Sequence, residues 1–209
     1  MSGGLISFVL QAVAVSLSGV IAPGPVTAAT LAAGTRLRHA GSLIALGHVI
    51  VEAPLMLLIM AGMSRVFIGR TFTIAVGLIG GVLLILMAAQ ILRAMRKPED
   101  PANAPKVSSP VWTGVVLTGG NPYFLLWWVT VGIAFMSRAL ELGVLAFALF
   151  AIIHWMCDIL WLEILSLASF KGTHLFGRQT QKVVLAACSL SMLLIGLWFI
   201  VDAGRKLAR

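Results

Sequence analysis

The chain has 209 residues, 60% of them hydrophobic and only 11% charged, with a mean hydropathy of +1.04, which excludes an ordinary water-soluble domain. Its net charge of +8 comes from 15 Lys and Arg against 7 Asp and Glu. The basic residues fall in the connections between apolar runs, where they meet anionic lipid headgroups, so the charge marks no nucleic-acid binder.

Six apolar segments follow in chain order, near 5–33, 40–64, 72–92, 113–136, 139–168 and 183–203. Each can cross a hydrocarbon core of roughly 30 Å, which takes about 20 helical residues. A transmembrane barrel would show alternating stretches of about 10 residues, and the sequence has none. Helices satisfy their own backbone in lipid, so the expected fold is an all-α integral membrane protein with six transmembrane helices.

The first segment runs without a charge to Arg36 and is interrupted by Pro23-Gly24-Pro25. It lacks a basic n-region and a small-residue cleavage site, so it is expected to remain in the mature protein. The prolines have no N–H and push the chain away from the preceding turn, leaving the carbonyls of Gly19 and Ile21 without their usual donors. Irregular backbone at membrane depth is tolerated only where protein buries it or a wet cavity meets it. The break is therefore either a packing kink or a half-helix amino-terminus, with the Val26 and Thr27 amides free to face an anion and the Thr27 hydroxyl adding polarity.

The second segment carries His48 and Glu52 in GHVIVEAPL. An ionised side chain there costs about 2.5–3.5 kcal/mol, so the pair should face the bundle interior. The third segment is apolar, and Gly77, Gly80 and Gly81 form a face for close helix packing, which makes this span scaffold. Residues 93–112, with four prolines and mixed charge, read as a cytoplasmic linker between 1–92 and 113–209.

The fourth segment is interrupted in turn by Gly119-Gly120-Asn121-Pro122, where Pro122 deprives the Thr118 carbonyl and the Tyr123 and Phe124 amides become available. The fifth carries His154 and Asp158 in IHWMCDILW, repeating the four-residue spacing that puts histidine and acid on one helix face. Glu163 lies off that face and is expected to reach water. Trp127, Trp128, Trp155 and Trp161 either line a cavity or pack against lipid, Trp112 reads as an interface anchor, and Cys157 and Cys188 as small buried hydrophobes. The sixth segment, like the third, reads as scaffold.

Matched breaks and matched His/acid pairs in halves of similar length point to two three-helix repeats, inserted in opposite directions because each has an odd number of spans. Nine Lys and Arg on the linker's side against six on the other put both termini outside the cytoplasm. The four residues His48, Glu52, His154 and Asp158 can form a mutually satisfied network, a proton or substrate site, or a metal site, their ligand types suiting Zn or Mn.

The motif APGPVTAAT, the stretch LTGGNPYFLLWWVTVG and six spans in about 200 residues together resemble the LysE/RhtB family of amino-acid exporters. The resemblance implies a multi-pass inner (plasma) membrane exporter of small amino acids or related zwitterions, coupled to protons or the membrane potential, with no cofactor. It also implies that Pro23, Gly24, Pro25, Asn121 and Pro122 frame the substrate site, with Tyr123 standing where relatives often carry a basic residue. Thr27 and Tyr123 are added to that substrate-binding set from their positions beside the breaks. The alternatives are a divalent metal cation exporter using the four His/acid residues and, more remotely, an intramembrane metal-dependent enzyme. The sequence offers neither a nucleophile motif nor HExxH, so no enzyme is expected. The expected partners are membrane lipid, the amino-acid-like substrate and protons or cations, and six helices can enclose a small pathway alone or as a homodimer.

Overall fold

The computed structural model describes residues 2–63, 70–96, 109–175 and 177–208; most of the 93–112 linker lies outside the described residues. Helix α1, Ser2–Val20, ends where the prolines begin, and α2, Pro25–Gly34, leaves it at a bend of 80°. Pro25 takes the first helical position, where its missing N–H costs nothing, and Gly24 precedes it in extended conformation. The end of α1 tightens: the Ala22 N–H donates to the Gly19 carbonyl at 3.2 Å. The carbonyl expected to lose its partner is thus served by a shorter loop.

Helix α3, Ala40–Leu58, continues into a π turn, Ile59–Met63, in which Gly62 has φ +87. Helix α4 is Arg70–Arg96. Helix α5, Pro110–Gly119, is followed after two residues by α6, Pro122–Trp127, a π turn, Trp128–Gly132, and α7, Ile133–Glu141. Helices α8, Val144–Leu175, and α9, Gly177–Leu207, complete the chain. Among the described residues there is no strand. Five stretches are long and apolar enough to cross a membrane, and the bent α1–α2 pair makes a sixth, so the protein is an all-α membrane protein.

Two boundaries differ from the sequence reading. The fourth segment does not end at Ser137-Arg138; the helix runs to Glu141 and turns at Gly143, φ +110. One basic residue does not stop a helix, whereas a left-handed backbone does, and glycine adopts it without steric cost. The helices before the two breaks also differ in length, 19 residues for α1 and only 10 for α5.

Lipid offers no hydrophobic drive for helices to associate, so close approach rests on small residues. Helix α3 lies between α5 and α8. A Cβ on Gly47 would stand 2.0 Å from the Val111 carbonyl oxygen, and one on Gly41 equally close to that of Leu162. Helices α4 and α9 cross where Gly81 and Gly196 each meet the other's carbonyl. The bundle's largest buried cluster holds Trp127, Trp128, Phe135, Met136 and Phe150, while Leu190, Leu194, Leu197 and Val201 form an exposed apolar stripe along α9.

Candidate functional site

Helices α3 and α8 bring their two His/acid pairs face to face in the bundle interior. Glu52 is fully buried, His154 is 3% exposed and Asp158 5%. Three donors converge on Glu52 Oε1: the Trp128 indole N–H at 3.0 Å, His154 Nε2 at 3.1 Å and His48 Nε2 at 3.2 Å. A carboxylate oxygen accepts only, so both imidazoles present Nε2–H to it. His48 Nδ1 lies 2.9 Å from Thr118 Oγ1 of α5. Asp158 Oδ2 is 3.6 Å from His154 Nε2 and 3.9 Å from His48 Nε2, distances beyond hydrogen bonding.

Aromatic rings hold the imidazoles. Trp127 stacks on His154 with centroids 5.3 Å apart, and Phe124 meets His48 edge-on at 5.2 Å. Glu52 Oε2, Asp158 Oδ2 and His154 Nδ1 are buried without a hydrogen-bond partner. Buried polar atoms are almost always satisfied, so three orphans in one cluster call for an explanation, and a ligand-binding role supplies one.

This cluster forms one wall of a cavity of about 80 Å³. At roughly 10–15 Å³ per water, it holds on the order of six water-sized groups. The first break lines the same cavity with Pro23, Gly24, Pro25, Val26 and Thr27. Helix α2 has no side-chain cap at its amino-terminus, and the Thr27 hydroxyl turns back to the Ala22 carbonyl at 3.4 Å. Among the described residues no Lys or Arg lines the cavity.

Ten of the eleven residues singled out from the sequence border this cavity: Pro23, Gly24, Pro25 and Thr27 at the first break, Asn121 and Tyr123 at the second, and the four His/acid residues. Pro122 does not; its ring packs on Gly80 of α4, where a Cβ would meet it at 2.0 Å. The second break also differs from the first in chemistry. Asn121 caps its own helix, accepting the Tyr123 N–H on Oδ1 at 3.0 Å, so that amide is not available to an anion. The Asn121 N–H in turn donates to the Thr118 carbonyl at 3.0 Å, so Pro122 leaves no stranded acceptor there.

The spans read as scaffold contribute as well: Leu84 of α4 and Met192 and Ile195 of α9 line the cavity. Their apolar character carried no signal, since a cavity wall and a packing face use the same residues. Trp127 and Trp128 line the cavity, one of the two readings open for the tryptophans, but no local pattern points to the bond from Trp128 to Glu52, because the two residues lie 76 apart in sequence. Glu163 does more than reach water. It pairs with His39 and accepts the Ser42 N–H at 3.0 Å and the Ser42 hydroxyl at 2.8 Å, holding the start of α3.

No curated protein and no solved structure matches the chain significantly. The family model of the LysE type translocators matches residues 17–203, nearly the whole chain, including both breaks and all four His/acid residues. The chain belongs to the LysE type translocator family and is a multi-pass membrane transporter.

Proposed function

We propose that the protein exports small amino acids or related zwitterions across the inner membrane in exchange for protons or other cations. The observation that carries this reading is the make-up of the cavity lining: an uncapped helix amino-terminus and two carboxylates with unspent oxygens border the same space. Amides and the positive end of a helix dipole favour a carboxylate, and Glu52 and Asp158 favour an ammonium group. The α2 amino-terminus takes the cargo's carboxylate at Val26 and Thr27, and the acids take its amino group or the exchanged cation. Room for about six water-sized groups matches the heavy-atom count of a small amino acid.

Alternating access comes from rocking of two inverted three-helix halves, 1–92 and 113–209, about the cavity, with both termini outside the cytoplasm. Reciprocal packing supports this: α1 lies on α8 as α5 lies on α3, and α2 lies on α9 as α6 lies on α4. The mutual approach of Gly81 and Gly196 fits the same two-fold relation. Counterflow in proteoliposomes, run with a panel of labelled amino acids at two pH values, tests the proposal. Accumulation of at least one small amino acid is expected; failure with every one overturns it.

A further inference from the structure

Three members of the interior cluster are also placed to hold a second kind of ligand. Each of His48, Glu52 and Asp158 offers one ligand atom, and these three atoms lie within 4.8 Å of one another. We propose that they form a binding site for a single divalent first-row metal ion, with Zn²⁺ as the probe. Bonds to such an ion run about 2.0–2.2 Å, so a small contraction brings all three donors onto it.

The unspent donors are the first argument. Asp158 Oδ2 and Glu52 Oε2 are buried and without hydrogen bonds, in side chains that are 5% and 0% exposed. A ring of hydrogen bonds alone would draw Asp158 Oδ2 to roughly 2.9 Å from an imidazole nitrogen, yet it stands at 3.6 and 3.9 Å. Imidazole and carboxylate are the donor types that zinc and manganese accept.

The outer contacts are the second argument. Glu52 Oε1 is held by the Trp128 N–H and His154 Nε2–H, which leaves Oε2 for the ion. The Thr118 hydroxyl beside His48 Nδ1 can accept as well as donate, so when the ion binds, the imidazole hydrogen is carried on Nδ1 and Nε2, giving up the hydrogen it presents to Glu52 Oε1, becomes the ligand nitrogen. Metal-binding histidines and carboxylates are oriented in this way, and loss of such a partner typically weakens the metal by 10–100-fold. His154 and Trp128 are thus positioning residues. Three protein ligands leave a fourth position open to the cavity, as in sites that exchange a ligand.

The site shares Glu52 and Asp158 with the zwitterion reading, but equilibrium binding is measured without transport, so failure of one is distinguishable from failure of the other. Full-length protein in detergent is titrated with ZnCl₂ by calorimetry, and bound metal is counted after desalting. One Zn²⁺ per chain is expected. Asp158→Asn and His48→Gln should each weaken it at least tenfold, and Trp128→Phe roughly 10–100-fold. His39→Gln, which removes the exposed imidazole beside Glu163, should leave it unchanged. Absence of saturable binding overturns the proposal, as does binding that survives Asp158→Asn but is lost in His39→Gln. Should Asp158→Asn fail to fold, Thr118→Val drops only the hydroxyl that braces His48, and an affinity unchanged in both Thr118→Val and Trp128→Phe overturns the site equally.

Discussion

The Trp128 indole donates its N–H to Glu52 Oε1 at 3.0 Å, joining the π turn after the second break to the acid at the centre of α3. Both side chains are almost fully buried, so the bond is made where water cannot replace it. A hydrogen bond to a charged group contributes about 1.5–3 kcal/mol, and leaving that group unpaired costs more. Trp128→Phe keeps the packing of the ring and deletes only the donor. Initial counterflow rates should fall on the order of tenfold, the equivalent of about 1.4 kcal/mol, with the protein still folded by circular dichroism. An unchanged rate would show that Glu52 is held without it.

Glu52→Gln removes the charge but retains a side chain of the same shape. Under the proposed exchange, flux driven by a cation gradient should be abolished while membrane insertion and solubilised yield remain. Flux measured at full wild-type rate would reassign the coupling away from Glu52.

Asn121 is an N-cap whose Oδ1 takes the Tyr123 amide. Asn121→Ala should destabilise the protein by about 1 kcal/mol, and Asn121→Asp, which caps equally well, should restore stability. Transport separates from stability in this pair, because aspartate adds a third acid to a cavity wall that has no basic residue among the described ones. Thermal unfolding in detergent and counterflow on the same preparations check both parts.

The α3–α5 contact predicts a sharp difference between two glycines. Gly47→Ala would drive a Cβ to 2.0 Å from the Val111 carbonyl oxygen, whereas Gly204 on α9 has nothing within 4 Å. Overpacking of this kind costs roughly 1–3 kcal/mol, while alanine for an open helical glycine gains up to about 1 kcal/mol. Gly47→Ala should therefore lower the melting temperature and Gly204→Ala leave it level or raise it.

Glu163 holds the first turn of α3 through Ser42, and its ion pair with His39 is largely exposed, with the histidine side chain 62% accessible. Exposed pairs contribute little, so the bonds to Ser42 dominate. In hydrogen exchange, Glu163→Ala should speed exchange of the Ser42 amide severalfold, and His39→Ala should change it little. The reverse order would make the ion pair the principal tie.

The sequence by itself determined what depends on local chemistry. Long apolar runs in lipid have only the helix open to them, and the missing N–H of Pro23, Pro25 and Pro122 places both interruptions, at Val20–Pro25 and Gly119–Pro122, where α1 and α5 end. The four-residue spacing likewise put each histidine beside its own acid. Which groups meet across the bundle was decided only by the tertiary structure. His154 and Trp128 reach Glu52 from 102 and 76 residues away because α3, α8 and the π turn at Trp128 converge, a matter of helix packing that no local pattern encodes. The two breaks look alike as sequence, yet one opens an uncapped helix amino-terminus to the cavity and the other closes on Asn121 and packs its proline on Gly80, since a side-chain cap and a neighbouring helix, not the proline, decide what a broken helix exposes.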